Sequence, residues 1–259
     1  MRFVPLVALL LAAPLAAQTA AEHIALGDSA NPFLHPDVAL RHYREALALD
    51  SLDFAANWKA ARAMADIAKQ LEGDSTKGRR DSLYSVGRTY AERALRIDSV
   101  HAEGHYVVAL VLGRLSRTRG GKERVRFARI IYDEAMRAAQ IDSTLDGAWH
   151  VLGAWNAEVK RLSGFTRFFA KALFGAGFMD KANWEDAQRF LERAVAIRPS
   201  HVYHRLELAQ VYIDVGKYSR AREQLTTIET LPIGDVMDPT YKREAARLLA
   251  EIRDKKDES

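Results

Sequence analysis

Apolar residues recur every three or four positions along most of the chain, which is the spacing of one face of an α-helix. The pattern predicts helices at residues 20–28, 36–50, 53–71, 80–98, 101–117, 122–141, 145–162, 165–174, 183–197, 201–215, 218–230 and 239–254. No stretch competes with the alternation of apolar and polar residues that a half-buried strand needs. The sequence therefore predicts an all-α protein.

Four of these helices end in nearly the same six-residue sequence motif, here called the phrase. The phrases are Ala46-Leu-Ala-Leu-Asp-Ser51, Ala94-Leu-Arg-Ile-Asp-Ser99, Ala138-Ala-Gln-Ile-Asp-Ser143 and Ala194-Val-Ala-Ile-Arg-Pro199. A phrase repeated at helix ends predicts a stack of helical hairpins rather than one compact core. In the aligned units, Ala61, Ala109, Gly153 and Ala209 share one position, where a small side chain lets two helices approach closely.

The last full unit carries Tyr212, Gly216, Tyr218 and Ala221 at the spacing that ends one helix and starts the next. These residues resemble the tetratricopeptide repeat, whose usual period is about 34 residues. We therefore predict an α-α superhelix of about five helical hairpins with a C-terminal capping helix. The phrases are 48, 44 and 56 residues apart, so the middle units carry insertions.

The longest insertion, residues 163–182, mixes phenylalanines with basic residues and has helical spacing in its first half. Its candidate contact residues are Phe165, Phe168, Phe169 and Phe174. Three placements stay open for this segment. It could fill the groove of the array, lie over one end as a lid, or touch a bilayer with Arg167 and Lys171 at the headgroups.

Composition and the N-terminus bear on location. Lys and Arg number 38 against 34 Asp and Glu, so the overall charge does not indicate nucleic-acid binding. The lack of cysteine excludes disulfides and thiolate sites.

The N-terminal residues resemble a secretory signal: Arg2, the apolar run 3–13 and Ala16-Ala17-Gln18. The apolar run is too short for a good membrane anchor. We expect a signal peptide at 1–20, a repeat domain at 21–254 and a disordered tail at 255–259. The mature chain would then be periplasmic or extracellular, without a transmembrane span.

Beyond the generic repeat, two stretches resemble the helical domain of the regulator of microtubule dynamics family. They are Trp58-Lys-Ala-Ala-Arg-Ala-Met-Ala-Asp-Ile-Ala68, and His150-Val-Leu-Gly-Ala-Trp155 through Phe169-Ala-Lys-Ala-Leu-Phe174 to the helix near Trp184. The resemblance covers about residues 20–254. It implies a non-enzymatic tetratricopeptide-type domain with a concave groove.

The family suggests partners that do not all suit this chain. Animal members are linked to microtubules and to contacts between the endoplasmic reticulum and mitochondria, and a related domain is associated with phospholipid binding. An exported chain would meet no microtubules, so that role is not carried over. The acidic double-phenylalanine motif of one member is missing, because Phe168-Phe169 is flanked by Arg167 and Lys171.

In tetratricopeptide arrays the first helix of each hairpin lines the groove. The corresponding residues here are Trp58, Arg62, Tyr106, Leu110, Arg114, His150, Ala154, Tyr203, Leu206 and Gln210. Such a wall favours an apolar or extended partner, and the paired Lys and Asn that clamp a peptide carboxylate are absent. The alternative is that the aromatic residues among them pack against the next repeat.

A basic run follows the third unit's first helix. It comprises Arg114, Arg117, Arg119, Lys122, Arg124, Arg126 and Arg129, and Glu123 is the only acidic residue among them. The run could attract phosphates or acidic segments, although basic outer helix faces are also common.

Signals for catalysis or metal binding are weak. His101 with His105, and His201 with His204, lie about one helical turn apart without an obvious third ligand, so surface or capping roles are expected. No glycine-rich phosphate loop, nucleophile elbow or His-Glu-x-x-His motif occurs. We expect no cofactor, no metal and no enzymatic activity. The predicted function is a scaffold that binds a protein or peptide partner, or alternatively a lipid or another apolar small molecule.

Overall fold

The computed structural model describes residues 18–30, 34–71 and 73–258, apart from the side chains of residues 165 and 167–169. Most of the expected signal peptide, and the side chains of Phe165, Phe168 and Phe169, therefore lie outside the described residues. The helices are α1 Ala20–Ala30, α2 Pro36–Leu49, α3 Phe54–Ala68, α4 Lys77–Ile97, α5 Ala102–Ser116, α6 Gly121–Ile141, α7 Asp146–Arg161, α8 Gly164–Phe174, α9 Trp184–Ile197, α10 Val202–Asp214, α11 Tyr218–Thr230 and α12 Asp238–Glu251. Two 3-10 helices, Asp74–Thr76 and Ala176–Lys181, lie in the first and third insertions.

Successive helices pack in pairs: α1 with α2, α3 with α4, α5 with α6, α7 with α9, and α10 with α11. Helix α12 packs on α10 and α11 and closes the stack. Helix α8 and the second 3-10 helix interrupt the fourth pair. The predicted superhelix of five hairpins with a capping helix is confirmed.

Hydrogen bonds explain why the repeated phrase lies at the end of a helix. The backbone N–H of the phrase's Asp donates to the carbonyl of the Ala four positions earlier, which closes the last helical turn. The Asp carboxylate then accepts the N–H two residues further on, a geometry that turns the chain. These bonds are Leu52 N–H to Asp50 at 2.9 Å, Val100 N–H to Asp98 at 2.9 Å and Thr144 N–H to Asp142 at 2.8 Å.

A second bond recurs in every unit although the residue type changes. The carbonyl of the phrase's last residue accepts a hydrogen bond from the side chain six positions later, inside the next helix. The pairs are Asn57 Nδ2 to Ser51 at 3.1 Å, His105 Nε2 to Ser99 at 2.9 Å, Trp149 Nε1 to Ser143 at 3.0 Å and Arg205 Nε to Pro199 at 2.7 Å. Each turn between hairpins is thus fixed to the helix that follows it.

The shared small position lies where the helices of a hairpin meet. Ala61, Ala109 and Ala209 are fully buried. A Cβ added at Gly153 would lie 2.5 Å from Leu191 Cγ, so α7 and α9 approach too closely for any larger residue there. This packing agrees with the prediction that a small side chain at this position lets two helices approach closely.

None of the helices in the described part of the chain combines the length and the hydrophobicity that crossing a bilayer requires.

Candidate binding cavity

A cavity of about 610 Å3 lies on the inner side of the array. Seven of the ten predicted groove residues line it: Arg62, Tyr106, Leu110, Arg114, His150, Ala154 and Tyr203. They come from the first helices of four successive hairpins, α3, α5, α7 and α10. Most of the sequence positions that tetratricopeptide geometry selects therefore line one partly open cavity.

The other three predicted groove residues lie elsewhere, because α3 reaches the cavity only from Arg62 onward and α10 only through its first turn. Trp58 is half-buried against the core, with the Lys59 ammonium 5.5 Å from its ring centroid. Leu206 is 2% exposed and packs within the core formed by α9 to α12, and Gln210 is half-buried. The groove prediction extended too far along both helices.

The cavity has walls of two kinds. One wall comes from α6, the second half of α7, α8 and the 3-10 helix after it, and its side chains are largely apolar. Its members include Val125, Ala128, Ile131, Trp155, Val159, Ala170, Phe174 and Met179. The other wall, from α3, α5, the start of α7, the start of α10 and the segment before α12, carries most of the charged, histidine and tyrosine side chains.

The charged wall joins distant units of the array. The Lys69 ammonium lies 2.8 Å from Asp66 and 2.7 Å from Asp235, and only 11% of the lysine side chain is exposed. Burial acts to lower the pKa of Lys69, but attraction by the two carboxylates outweighs it and raises that pKa. The same pair lowers the pKa of Asp235, against the effect of its own burial. A salt bridge therefore connects α3 to the segment before α12 beside the cavity.

Two half-buried arginines, Arg62 and Arg114, line the cavity without a salt bridge to a carboxylate among the described residues. Within that part of the chain, Arg62 forms no hydrogen bond or salt bridge, although it lines the cavity together with Asp66 and Asp146. Arg114 lies 5.5 Å from the ring centroid of Tyr203, which stacks on Tyr241 at 4.6 Å. Guanidinium groups stay protonated at any ordinary pH. The wall thus presents two fixed positive charges among tyrosine rings.

A buried chain of histidines runs beside these arginines. His204 Nε2 lies 2.8 Å from Asp146, its Nδ1 lies 3.0 Å from His150 Nδ1, and its ring stacks on His201 at 3.9 Å. Only 4% of His204 is exposed and it lies inside α10, so the expected surface or capping role is wrong for this residue, whereas His201 is at the N-cap of that helix. The sequence pairs it with His201 at helical spacing but cannot indicate that Asp146 and His150 lie against it.

The environment fixes the charges of this cluster. Burial, reinforced by the charge of His204, lowers the pKa of His150 and brings that of His201 to about 3, so both rings are neutral at pH 7. Burial acts to raise the pKa of Asp146, but the hydrogen bond and charge of His204 outweigh it and lower that pKa to about 2. Asp146 is therefore ionised.

The other histidine pair forms no shared site. His101 is paired with Asp98 at 2.8 Å on the surface. His105 is buried, with its Nδ1 2.5 Å from Glu134 and its Nε2 on the Ser99 carbonyl. Both rings of this pair are thus engaged by separate partners.

The long insertion lies beside the cavity. Thr166, Ala170 and Phe174 of α8 line it, and the Phe174 ring would lie 3.2 Å from a Cβ added at Gly121, so α8 packs on the start of α6. Exposed Arg117 and Arg124 of the basic run lie at the cavity's edge. A second cavity of about 490 Å3 carries Lys122, Arg126 and Arg129 of that run beside Phe174 and Phe178.

Paired helices stacked around an inner cavity define a tetratricopeptide-type helical repeat protein. The structure is similar to a thermophilic tetratricopeptide protein of Thermus thermophilus, with a TM-score of 0.62, 16% identity, and coverage of 89% of this chain and 99% of the other. It is also similar to pilF of Pseudomonas aeruginosa, with a TM-score of 0.53, 15% identity, and coverage of 91% and 86%. At these identities the likeness concerns the fold.

The chain belongs to the family of regulator of microtubule dynamics proteins 1-3, whose model matches residues 27–253. It is 26% identical over 192 residues to regulator of microtubule dynamics protein 3 of Rattus norvegicus, covering 74% of this chain and 40% of that protein. The Xenopus laevis protein is 26% identical over 175 residues, covering 68% and 37%. The chain thus spans about 40% of the length of these relatives, and the predicted family resemblance is confirmed.

Proposed function

We propose that this chain is a non-enzymatic binding module whose central cavity takes up an amphipathic ligand with an acyl chain and an anionic head. The observation that carries the proposal is that the cavity combines an apolar wall with two half-buried arginines, Arg62 and Arg114, that form no salt bridge to a carboxylate among the described residues. A helical repeat scaffold of this class is suited to binding through its inner surface.

The size of the cavity supports a ligand that is held inside rather than one that only lies across it. About 610 Å3 falls within the range of roughly 300–1,000 Å3 that small-molecule sites occupy. The Lys69–Asp235 salt bridge on one side and α8 on another limit the space available to a long peptide. Each methylene buried against the apolar wall would contribute about 0.8 kcal/mol.

The charged wall supports an anionic head. Arg62 and Arg114 could each donate two parallel hydrogen bonds to a carboxylate or phosphate, a geometry that lysine lacks. Asp66, Asp146 and Asp235 lie in the same wall, and their charges act on Arg62, so they would disfavour an anion close to them. The head is therefore expected on the Arg114 side of the two arginines, with the chain directed toward α6 and α8.

Export remains part of the proposal. The N-terminal sequence supports a cleaved signal and a periplasmic or extracellular location, as argued from Arg2 and the apolar run after it. The relatives are named for microtubule dynamics, and we do not extend that role to an exported chain. Determining the N-terminus of the protein isolated from its native cells tests this point, with cleavage between residues 17 and 21 expected.

A second candidate is a protein partner with an acidic segment. Exposed Lys122 and Arg126 line the second cavity but not the central one, and they would attract such a segment electrostatically. This contact would lie mainly outside the central cavity. The two candidates therefore depend on different residues.

The experiment uses delipidated protein mixed with vesicles of phosphatidylcholine containing either phosphatidylglycerol or no anionic lipid. We expect about one acyl lipid per chain after re-isolation, drawn preferentially from the anionic vesicles. Ala154→Trp, which places a large ring in the cavity, should abolish uptake. Val86→Asp, on a residue that is 41% exposed and does not line the cavity, is the control and should leave uptake unchanged.

The second candidate is tested with a fluorescent oligoglutamate peptide. Binding that is lost in a Lys122→Glu and Arg126→Glu double variant, but kept in Ala154→Trp, would favour the protein partner. If the chain takes up no lipid from either vesicle, the acyl-ligand proposal fails.

A further inference from the structure

We propose a zinc-binding site at the first hairpin, formed by His23 of α1 and by His42 and Glu45 of α2. The three side chains direct one potential ligand atom each to the same point. His23 Nδ1 lies 3.4 Å from His42 Nδ1, and Glu45 Oε2 lies 3.0 Å from the first nitrogen and 3.3 Å from the second. This cluster is separate from the central cavity and does not depend on the proposed ligand.

The three separations match the edges of a tetrahedral zinc site. Zinc binds histidine nitrogen at roughly 2.0–2.1 Å and carboxylate oxygen at roughly 2.0–2.2 Å. Two ligands of a regular tetrahedron are separated by about 1.63 bond lengths, which gives about 3.3–3.4 Å for such bonds. An ion placed above the triangle formed by these atoms would therefore need little movement of any side chain.

The packing of α1 on α2 fixes this arrangement. Gly27, one turn after His23, lies against the ring of Tyr43, and a Cβ added at Gly27 would overlap that ring. The Tyr43 hydroxyl donates a hydrogen bond of 2.9 Å to Asp28, which also pairs with Lys59 of α3. The register of the two helices is thus set next to His42.

Exposure and ligand type favour zinc with one position left open. The side chains of His23 and His42 are 13% and 23% exposed, while Glu45 is 46% exposed, so solvent reaches the cluster from the carboxylate side. Two imidazoles and one carboxylate with a water in the fourth position is a set that zinc accepts, and imidazole also suits copper and nickel. Calcium and magnesium, which prefer oxygen ligands, are not expected.

The spacing of histidines within single helices does not reveal this cluster. His42 and Glu45 are three positions apart, but His23 lies nineteen positions before His42 in a different helix. Only the hairpin brings the third ligand into place. Without a metal, imidazole N–H groups that donate to Glu45 could hold the same carboxylate, and the experiment below separates these two cases.

The test measures zinc binding to the full chain purified without a polyhistidine tag and treated with chelator. We expect one Zn2+ per chain in equilibrium dialysis, a higher melting temperature with zinc, and the visible absorption of tetrahedral Co2+ when cobalt replaces it. His23→Gln, His42→Gln and Glu45→Gln should each raise the Kd by more than the roughly 10–100-fold that loss of an outer-shell partner costs.

His101→Gln is the matched control, because His101 is also exposed and paired with a carboxylate, at 2.8 Å from Asp98, but lacks a third ligand among the described residues. It should bind zinc like the unaltered chain. Circular dichroism of each variant without metal checks that the hairpins remain folded. The proposal is overturned if the unaltered chain binds no stoichiometric zinc, or if the three variants bind it as tightly as the unaltered chain does.

Discussion

The ammonium group of Lys69 lies 2.7 Å from the carboxylate of Asp235, and 166 positions of sequence separate the two residues. A repeat array normally has contacts only between neighbouring units. This bond instead joins the second hairpin to the segment before the capping helix. It closes the space in which Arg62, Arg114 and the buried histidines meet.

Removing one member of this bond should loosen the closure. We expect Lys69→Met to lower the free energy of unfolding by about 1–3 kcal/mol, because Asp66 and Asp235 lose their shared cation in a largely buried setting. Chemical denaturation followed by circular dichroism measures the change. Arg247→Gln, which removes exposed ion pairs with Glu244 and Glu251, is the control and should leave the midpoint unchanged.

Stability should fall when the pH is lowered from 7 to 5. The pKa of His201 is lowered from 6.5 to about 3 by burial and by the charges of His204 and Arg198, against attraction by Asp146 and Asp235. Between those values the unfolded chain binds a proton that the folded chain excludes, so acidification favours unfolding. One such group contributes about 2 kcal/mol over this interval, and His150 acts in the same direction.

His201→Phe should reduce that pH dependence by about 2 kcal/mol. Its Nδ1 is buried without a hydrogen-bond partner among the described residues, so the phenyl ring leaves no new polar atom unpaired. Denaturation curves at pH 7 and pH 5 provide the measurement, with His101→Gln as the exposed control. An unchanged difference between the two pH values would mean that His201 is not the buried neutral ring described here.

Asp146 affects stability at lower pH. Its pKa of about 2 lies below the ordinary 3.8, so its contribution to folding stability is present above that ordinary value and is lost as the pH falls toward 2.

The repeated Asp has an effect that can be isolated. Asp142→Ala removes the acceptor of the Thr144 N–H and hydroxyl bonds at 2.8 and 2.7 Å, and we expect a loss of about 0.5–1.5 kcal/mol. Ser143→Ala, at the next position, keeps the carbonyl that accepts the Trp149 bond and should have little effect. Equal losses from both substitutions would contradict the role given to the carboxylate. Thermal denaturation of the two variants distinguishes these outcomes.

Gly153 tests the close approach of α7 and α9. A Cβ there would meet Leu191 Cγ at 2.5 Å and the Ala187 carbonyl at 3.1 Å, so Gly153→Ala should cost about 1–3 kcal/mol despite the better helix propensity of alanine. Gly113 lies within α5 with nothing near the added carbon. Gly113→Ala should therefore stabilise by about 0.5–1 kcal/mol. The unfolding midpoints of the two variants test this: the midpoint should fall for Gly153→Ala and rise for Gly113→Ala.

The helices could be predicted from the sequence because their signals are local. Apolar spacing sets the faces, and the Asp of each phrase fixes a helix end through a bond to a residue only two positions away. Tyr106, Leu110 and Arg114 follow from the resemblance to the tetratricopeptide repeat, whose first helix lines the groove, and they lie four positions apart on one helix. Such features need no knowledge of the complete array.

The closed cavity could not be predicted in this way. Asp146 and His204 are 58 positions apart, and Lys69 and Asp235 are 166 apart, so neither pair leaves a periodic trace. The first pair forms only when two neighbouring hairpins pack together, and the second joins units at distant places in the array. For the same reason the sequence did not indicate that α3 reaches the cavity only after Trp58, or that α10 leaves it before Leu206 and Gln210.

The central claim is that the cavity holds an acyl ligand with an anionic head, and native mass spectrometry of the protein purified from its own cells tests it most directly. The account predicts a 1:1 complex whose extra mass extracts as an anionic acyl lipid. It predicts that Ala154→Trp carries none, and that Arg62→Gln with Arg114→Gln retains much less than Val86→Asp does. An unliganded mass for the unaltered chain, or equal retention by all of these variants, would contradict it.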